Sequence, residues 1–154
     1  MENLPYLDRV KIQSEILLPL YKRLRDEIGQ ARADDLLRAS VAEYASALGR
    51  DIRQTEGNTS LDKLRSAIPI FAANDALAVE HIANSDEELS MNVQRCQYAE
   101  HFQSIGEPEF GAMVTCEIDP PMTKGIGEDL SLQRTKTIMA GDSHCDFQWR
   151  QQKS

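Results

Sequence analysis

No stretch of this chain approaches the ~20 consecutive apolar residues of a membrane-spanning helix. The opening residues, MENLPYLDRVK, have neither the basic start nor the apolar run of a secretory signal. Positive charge is scarce: 17 Lys and Arg stand against 25 Asp and Glu, for a net charge of −8. A nucleic-acid surface needs clustered Lys and Arg to displace counterions, so that class is set aside. An anionic membrane is disfavoured for the same reason. Small anionic ligands are not excluded, because two or three local arginines can hold a carboxylate on an acidic protein. Cysteine is limited to three residues, an odd number that makes no disulfide framework. Free thiols in a reducing cytoplasm are the expected state. No glycine-rich phosphate loop and no GxSxG elbow occurs, so no cofactor is expected. Internal repeats and low-complexity segments are absent as well.

What is present is an ordinary globular composition: 154 residues, 41% hydrophobic and 27% charged, enough for one domain with a real core. Residues 7–28 place Leu7, Val10, Leu17, Leu20, Tyr21, Leu24 and Ile28 at helical spacing, with Gly29 as a stop and Pro19 as an expected kink or break. A second helix is expected over residues 31–55. Thr59 and Asp62 resemble a capping box that opens a third helix through Leu61, Leu64 and Ile68. Period-two alternation over residues 77–82 and 89–94 predicts a β-hairpin with a five-residue connection. A helix from Cys96 to Ile105 and a short one from Pro108 to about Cys116 follow. Pro120-Pro121 and the Gly125–Gly127 region are expected to be loop, Leu130 to Met139 a strand, and Cys145 to Arg150 the last strand. The fold class is α+β. Residues 1–75 form a helical scaffold, packed on an antiparallel sheet of about four strands with helices inserted between them, in 76–154.

The chemistry gathers in the last third, where all three cysteines lie. Cys96 follows Arg95 and starts a helix, two features that favour a thiolate and hence a nucleophile. The competing reading is a buried thiol filling a strand-to-helix corner. Cys116 ends a helix beside Glu117 and Asp119, which raises a thiol, so it is the poorer nucleophile on local grounds. In the last strand His144 and Asp146 share one face, as a base and its orienting partner would, while Cys145 and Phe147 share the other. A surface pair beside a turn is the plain alternative. Arg95 and Arg134 follow apolar alternation and need anionic partners, either an internal acid or a substrate carboxylate. Thr135 and Thr137 offer hydroxyls on one strand face. Cys96, Cys116, Cys145 and His144 also make a conceivable thiolate-rich zinc set, without the CxxC or HxxxH spacing that would back it. No metal is assigned.

Three segments carry a family pattern: RCQYAEHFQSIGEPEFG from Arg95, VTCEID from Val114, and RTKTIMAGDSHCDF from Arg134. Written as R-C-x-Y-A-E, G-x-P-E-x-G, C-x-x-D and R-T-x-T-x-x-x-G-x-x-x-C-D-F, this resembles the L-2-amino-thiazoline-4-carboxylic acid hydrolase family. Gln97 stands where Pro is usual, and Thr115 where a second cysteine often precedes Cys116; the latter weakens any vicinal metal site. The resemblance implies hydrolysis of non-peptide C–N bonds in small cyclic amidines or amides, such as ring opening of 2-amino-thiazoline-4-carboxylate to N-carbamoyl-cysteine. The candidate catalytic residues are Cys96, Cys116, Asp119, His144, Cys145 and Asp146. Arg95, Tyr98, Arg134, Thr135 and Thr137 are the candidate substrate contacts. The expected partner is a small carboxylate substrate, with a homo-oligomer compatible. The rival class is a non-catalytic small-molecule-binding or sensor domain, with a thiolate-bound metal compatible.

Overall fold

The structure, a computed structural model, describes residues 3–153. Three helices come first: α1 (Tyr6–Ile28), α2 (Gln30–Arg53) and α3 (Ser60–Ala72). Next come β1 (Leu77–Asn84), β2 (Glu88–Cys96), α4 (Gln97–Ser104), α5 (Pro108–Val114), α6 (Asp119–Ile126), β3 (Leu130–Gln133) and β4 (Cys145–Gln151). The strands form one antiparallel sheet in the order β1-β2-β4-β3. This is the expected α+β architecture, with helices inserted between strands. Among the described residues no helix is long and apolar enough to cross a membrane.

Gly29 alone separates α1 from α2, at φ 88°, a backbone region that a β-carbon disfavours. The expected capping box is present: the Asp62 N–H donates to Thr59 Oγ1 (3.1 Å) and the Thr59 N–H donates to Asp62 Oδ2 (3.2 Å). Register places Leu89 opposite Trp149, Met91 opposite Phe147 and Val93 opposite Cys145, so alternate residues of β2 and β4 face the helices together. Phe102 and Phe110 are fully buried beneath α4 and α5 with ring centroids 5.8 Å apart. Truncating either to Ala would cost about 3–5 kcal/mol.

Four expectations are corrected. Of the kink or break expected at Pro19, the break is absent: α1 continues through it, and because Pro19 is exposed the Glu15 carbonyl it leaves without a donor lies on the solvent side. The hairpin connection is Ser85–Glu87, shorter than expected, because the Ser85 N–H and hydroxyl close it onto Glu88. Pro120-Pro121 opens α6: prolines in a first turn leave no intrahelical bond unmade. Gly125 belongs to that helix because α6 crosses α2 almost in contact. A β-carbon on Gly125 would sit 2.6 Å from the Ser46 carbonyl oxygen, and one on Gly49 would sit 2.2 Å from that of Met122. The strand expected from Leu130 to Met139 stops at Gln133. Beyond it the chain wraps around the side chains of β4: Asp146 takes the N–H groups of Thr135 (2.8 Å) and Lys136 (2.6 Å), and Cys145 Sγ takes that of Ile138 (3.3 Å). With those donors satisfied by side chains, the strand has no ladder to extend.

Candidate active site

Between the inner sheet face and α3, α4 and α6 lies a cavity of about 100 Å³. That suits a compact molecule, on the scale of the ~150 Å³ dry cavity that accepts benzene. Its walls are mainly apolar: Leu64, Ile68 and Phe71 from α3, Met91 and Val93 from β2, Phe147 and Trp149 from β4. Three thiols, Cys96, Cys116 and Cys145, reach it from three separate segments. Tyr6 and Tyr98 complete the rim, and Tyr98 donates to the Phe71 carbonyl at 2.9 Å. Asp119 and Arg134 are the only charged residues in the lining among the described residues.

That pair is the electrostatic centre. Arg134 Nη1 donates to Asp119 Oδ2 at 2.5 Å, and Nη2 donates to the Cys116 carbonyl at 3.0 Å. The guanidinium also lies over the Phe147 ring, 5.1 Å from its centroid. Phe147 in turn stacks on Trp149 at 4.9 Å, whose indole N–H donates to the buried Thr123 hydroxyl. The two charged side chains are only 13% and 18% exposed. Burial pushes the Asp119 carboxyl up to about 6, against the pull of Arg134 in the other direction. A carboxyl near 6 in an apolar cavity is poised to give and take protons at neutral pH.

The thiols do not rest as thiolates. Burial lifts Cys96 to about 11, although the Ala99 N–H (3.4 Å) and that of Tyr98 at the start of α4 pull the other way. Cys96 caps that helix instead of forming its first residue. Burial lifts Cys116 further, to about 12, with Asp119 adding to the rise and the Thr115 hydroxyl opposing it. Cys145 is raised by burial as well, and accepts the Ile138 N–H. The expectation that Cys96 sits beside a free positive charge is corrected: Arg95 turns to the surface and forms a two-pronged pair with Glu100 at 2.7 and 3.1 Å. Desolvation therefore outweighs the helix terminus.

Of the candidates read from sequence, the fold brings Cys96, Cys116, Asp119, Cys145, Tyr98 and Arg134 to this cavity. Arg95, His144, Asp146, Thr135 and Thr137 are not in its walls. His144 precedes β4 and pairs with the Ser143 hydroxyl through Nδ1 (2.8 Å). Burial raises the Asp146 carboxyl, but hydrogen bonds from Thr135 and Lys136 outweigh it and hold it below the usual range. Thr135 gives Asp146 its hydroxyl proton, and Thr137 Oγ1 accepts the Ala140 N–H. These groups hold the loop that carries Arg134. Among the described residues no three His, Cys, Asp or Glu side chains gather closely enough to hold a metal ion, so the zinc set of Cys96, Cys116, Cys145 and His144 is not assembled. Strand alternation puts Phe147 on the face of Cys145, and the same period extends to Trp149, whereas nothing local to Tyr6, at the far end of the chain, points to this wall.

The fold is of the α+β class, with helices first and an antiparallel four-stranded sheet that backs the cavity. The chain belongs to the L-2-amino-thiazoline-4-carboxylic acid hydrolase family, whose model matches residues 9–149. No curated protein sequence matches it. Among solved structures it is similar to the phenol-responsive sensory domain of the transcription activator PoxR, bound to phenol. Identity there is 14% over 88% of this chain and 72% of that one, with a TM-score of 0.55, a likeness of fold. It is also similar to a trafficking protein particle complex subunit 3 from Naegleria fowleri, covalently bound to palmitic acid. That match has 14% identity over 93% of this chain and 97% of that one, with a TM-score of 0.49.

Proposed function

We propose that the protein is a hydrolase that opens the ring of a small cyclic amidine or amide bearing a carboxylate, such as 2-amino-thiazoline-4-carboxylate. The observation that carries this reading is the Asp119–Arg134 pair, the only charges among the described residues that line an otherwise apolar, thiol-bearing cavity. Family membership supports it, and the three free thiols suit a reducing compartment.

Arg134 holds the ring carboxylate, sharing its guanidinium between substrate and Asp119. Asp119, paired with Arg134, is ionised before the attack and so is free to take a proton. Cys96 attacks the amidine carbon, with the N–H groups at the start of α4 meeting the charge that develops on sulfur. Its proton passes to Asp119, which returns it to the departing ring atom. In a cyclic amide that atom is nitrogen. In 2-amino-thiazoline-4-carboxylate it is sulfur, because the product N-carbamoyl-cysteine keeps the ring nitrogen in its carbamoyl group. Water then displaces Cys96 from the carbon and supplies the carbamoyl oxygen.

A screen of thiazoline, hydantoin and related cyclic carboxylates for ring opening tests the proposal, with Cys96→Ala and Cys116→Ala alongside. Turnover that Cys96→Ala abolishes supports it. Turnover retained by both variants removes the covalent step and leaves water, activated by Asp119, as the attacking group. A second reading, a binding module without turnover, is favoured by one observation: none of the three thiols is lowered toward a ready thiolate. A cyclic carboxylate that binds by calorimetry and is recovered unchanged selects that reading.

A further inference from the structure

A second recess lies on the outer side of the helical layer, between α1 and α2, with a volume of about 530 Å³. Its floor is made by Val10, Leu17, Leu37 and Val41. One flank is a ridge on α1 at four-residue spacing: Ile12, Ile16 and Leu20, which are 48%, 77% and 50% exposed. The other flank is α2, where Leu36, Ser40 and Tyr44 repeat the same spacing and are all exposed. A helix that packs only inward puts one apolar stripe on the core and polar residues outward. Here α1 has two stripes: Leu7, Val10 and Tyr21 serve the core, and the ridge faces water.

We infer that this surface is the interface of a twofold dimer, covered by the same surface of a second copy of this chain. Three observations carry the choice of occupant. First, the large side chains of the two flanks leave on the order of 500 Å² of apolar surface in water, near the top of the range for a monomer's largest patch. A standard interface buries roughly 800 Å² per partner, and this apolar surface supplies the larger part of that area. Second, none of the residues lining the recess is charged, in a chain of net charge −8. Two like-charged copies repel least where charge is absent, and depletion of charge marks an interface core. Third, the patch holds a protruding ridge beside its own recess. A surface with knob and hole together complements itself, which is the requirement of a twofold contact.

Tyr6 lines both the recess and the thiol-bearing cavity, with its hydroxyl 3.3 Å from that of Tyr44. The interface therefore backs onto the wall of the site.

Sedimentation equilibrium of the full chain at micromolar concentration tests the inference, with Ile16→Glu and, as a control on a distant exposed aliphatic, Ile82→Glu. A wild-type dimer is expected. Ile16→Glu should weaken self-association roughly 30-fold or more, with an unchanged circular dichroism spectrum, and Ile82→Glu should leave the dimer intact. A paired Ile12→Ser, Leu20→Ser variant gives the same reading should Ile16→Glu fold poorly. A monomeric wild-type chain overturns the inference, as does a dimer that survives Ile16→Glu or that Ile82→Glu dissociates equally well.

Discussion

Asp119 and Asp146 sit in the same third of the chain, and each meets a residue of the 134–136 loop, yet their surroundings drive them in opposite directions. Asp119 lies in an apolar cavity with one partner, Arg134, and burial carries its carboxyl up to about 6. Asp146 lies outside that cavity and collects two backbone N–H groups and a hydroxyl, which hold it down despite its partial burial. A carboxylate with three donors keeps its charge and serves structure. One with a single cation among apolar walls holds its proton to a higher pH, which is the property proton transfer near neutrality calls for.

The largest expected effect breaks this contrast on the chemical side. Asp119→Asn keeps the shape and removes the titrating group, so kcat/KM for ring opening should fall by about 10²–10⁴-fold. The same change at Asp146 should leave most of the rate.

Stability against pH separates the pair next. The folded-state value of Asp119 lies above its ordinary 3.8, so between about 4 and 6 the folded chain binds more protons than the unfolded one. Its contribution therefore rises as pH falls from above 6 toward 4, on the order of 2–3 kcal/mol. Asp146, held below its ordinary value, contributes stability that is present above that value and lost as pH falls further. Urea titrations at several pH values should show the first effect in the wild type and not in Asp119→Asn. Asp146→Ala should instead lower stability by about 1–2 kcal/mol at neutral pH, through the donors it strands, and should weaken carboxylate binding by loosening the loop that presents Arg134. The smallest effect belongs to His144→Ala. Its ring touches Ser143 and not the cavity, so stability should move by less than about 0.5 kcal/mol and the rate should barely change.

Much of the fold was legible because it rests on local signals. The Thr59–Asp62 box, the β2 alternation and the glycine stop at Gly29 each act within a few residues. Two of the errors fell where distant contacts override local preference. Thr135 and Thr137 favour a strand, but a carboxylate eleven residues on from Thr135 takes the backbone donors that a strand would use. Gly125 reads as a loop breaker until α2 comes within touching distance. The site shows the same division. Cys116 and Asp119 of C-x-x-D both line the cavity, and the demand of Arg134 for an anion is met by Asp119. The electrostatics of Cys96 were misjudged, because the sequence shows Arg95 beside it and does not show Glu100 capturing that arginine or the depth of the cavity.

The central claim is that Asp119 beside Arg134 moves the proton in a ring-opening hydrolysis. Its most direct test is the pH dependence of kcat/KM for 2-amino-thiazoline-4-carboxylate, with N-carbamoyl-cysteine quantified, in wild type and Asp119→Asn. The account predicts an inflection near pH 6 in the wild type and a residual rate without that inflection in the variant. An Asp119→Asn protein that turns over as fast as wild type, with the same profile, would contradict it.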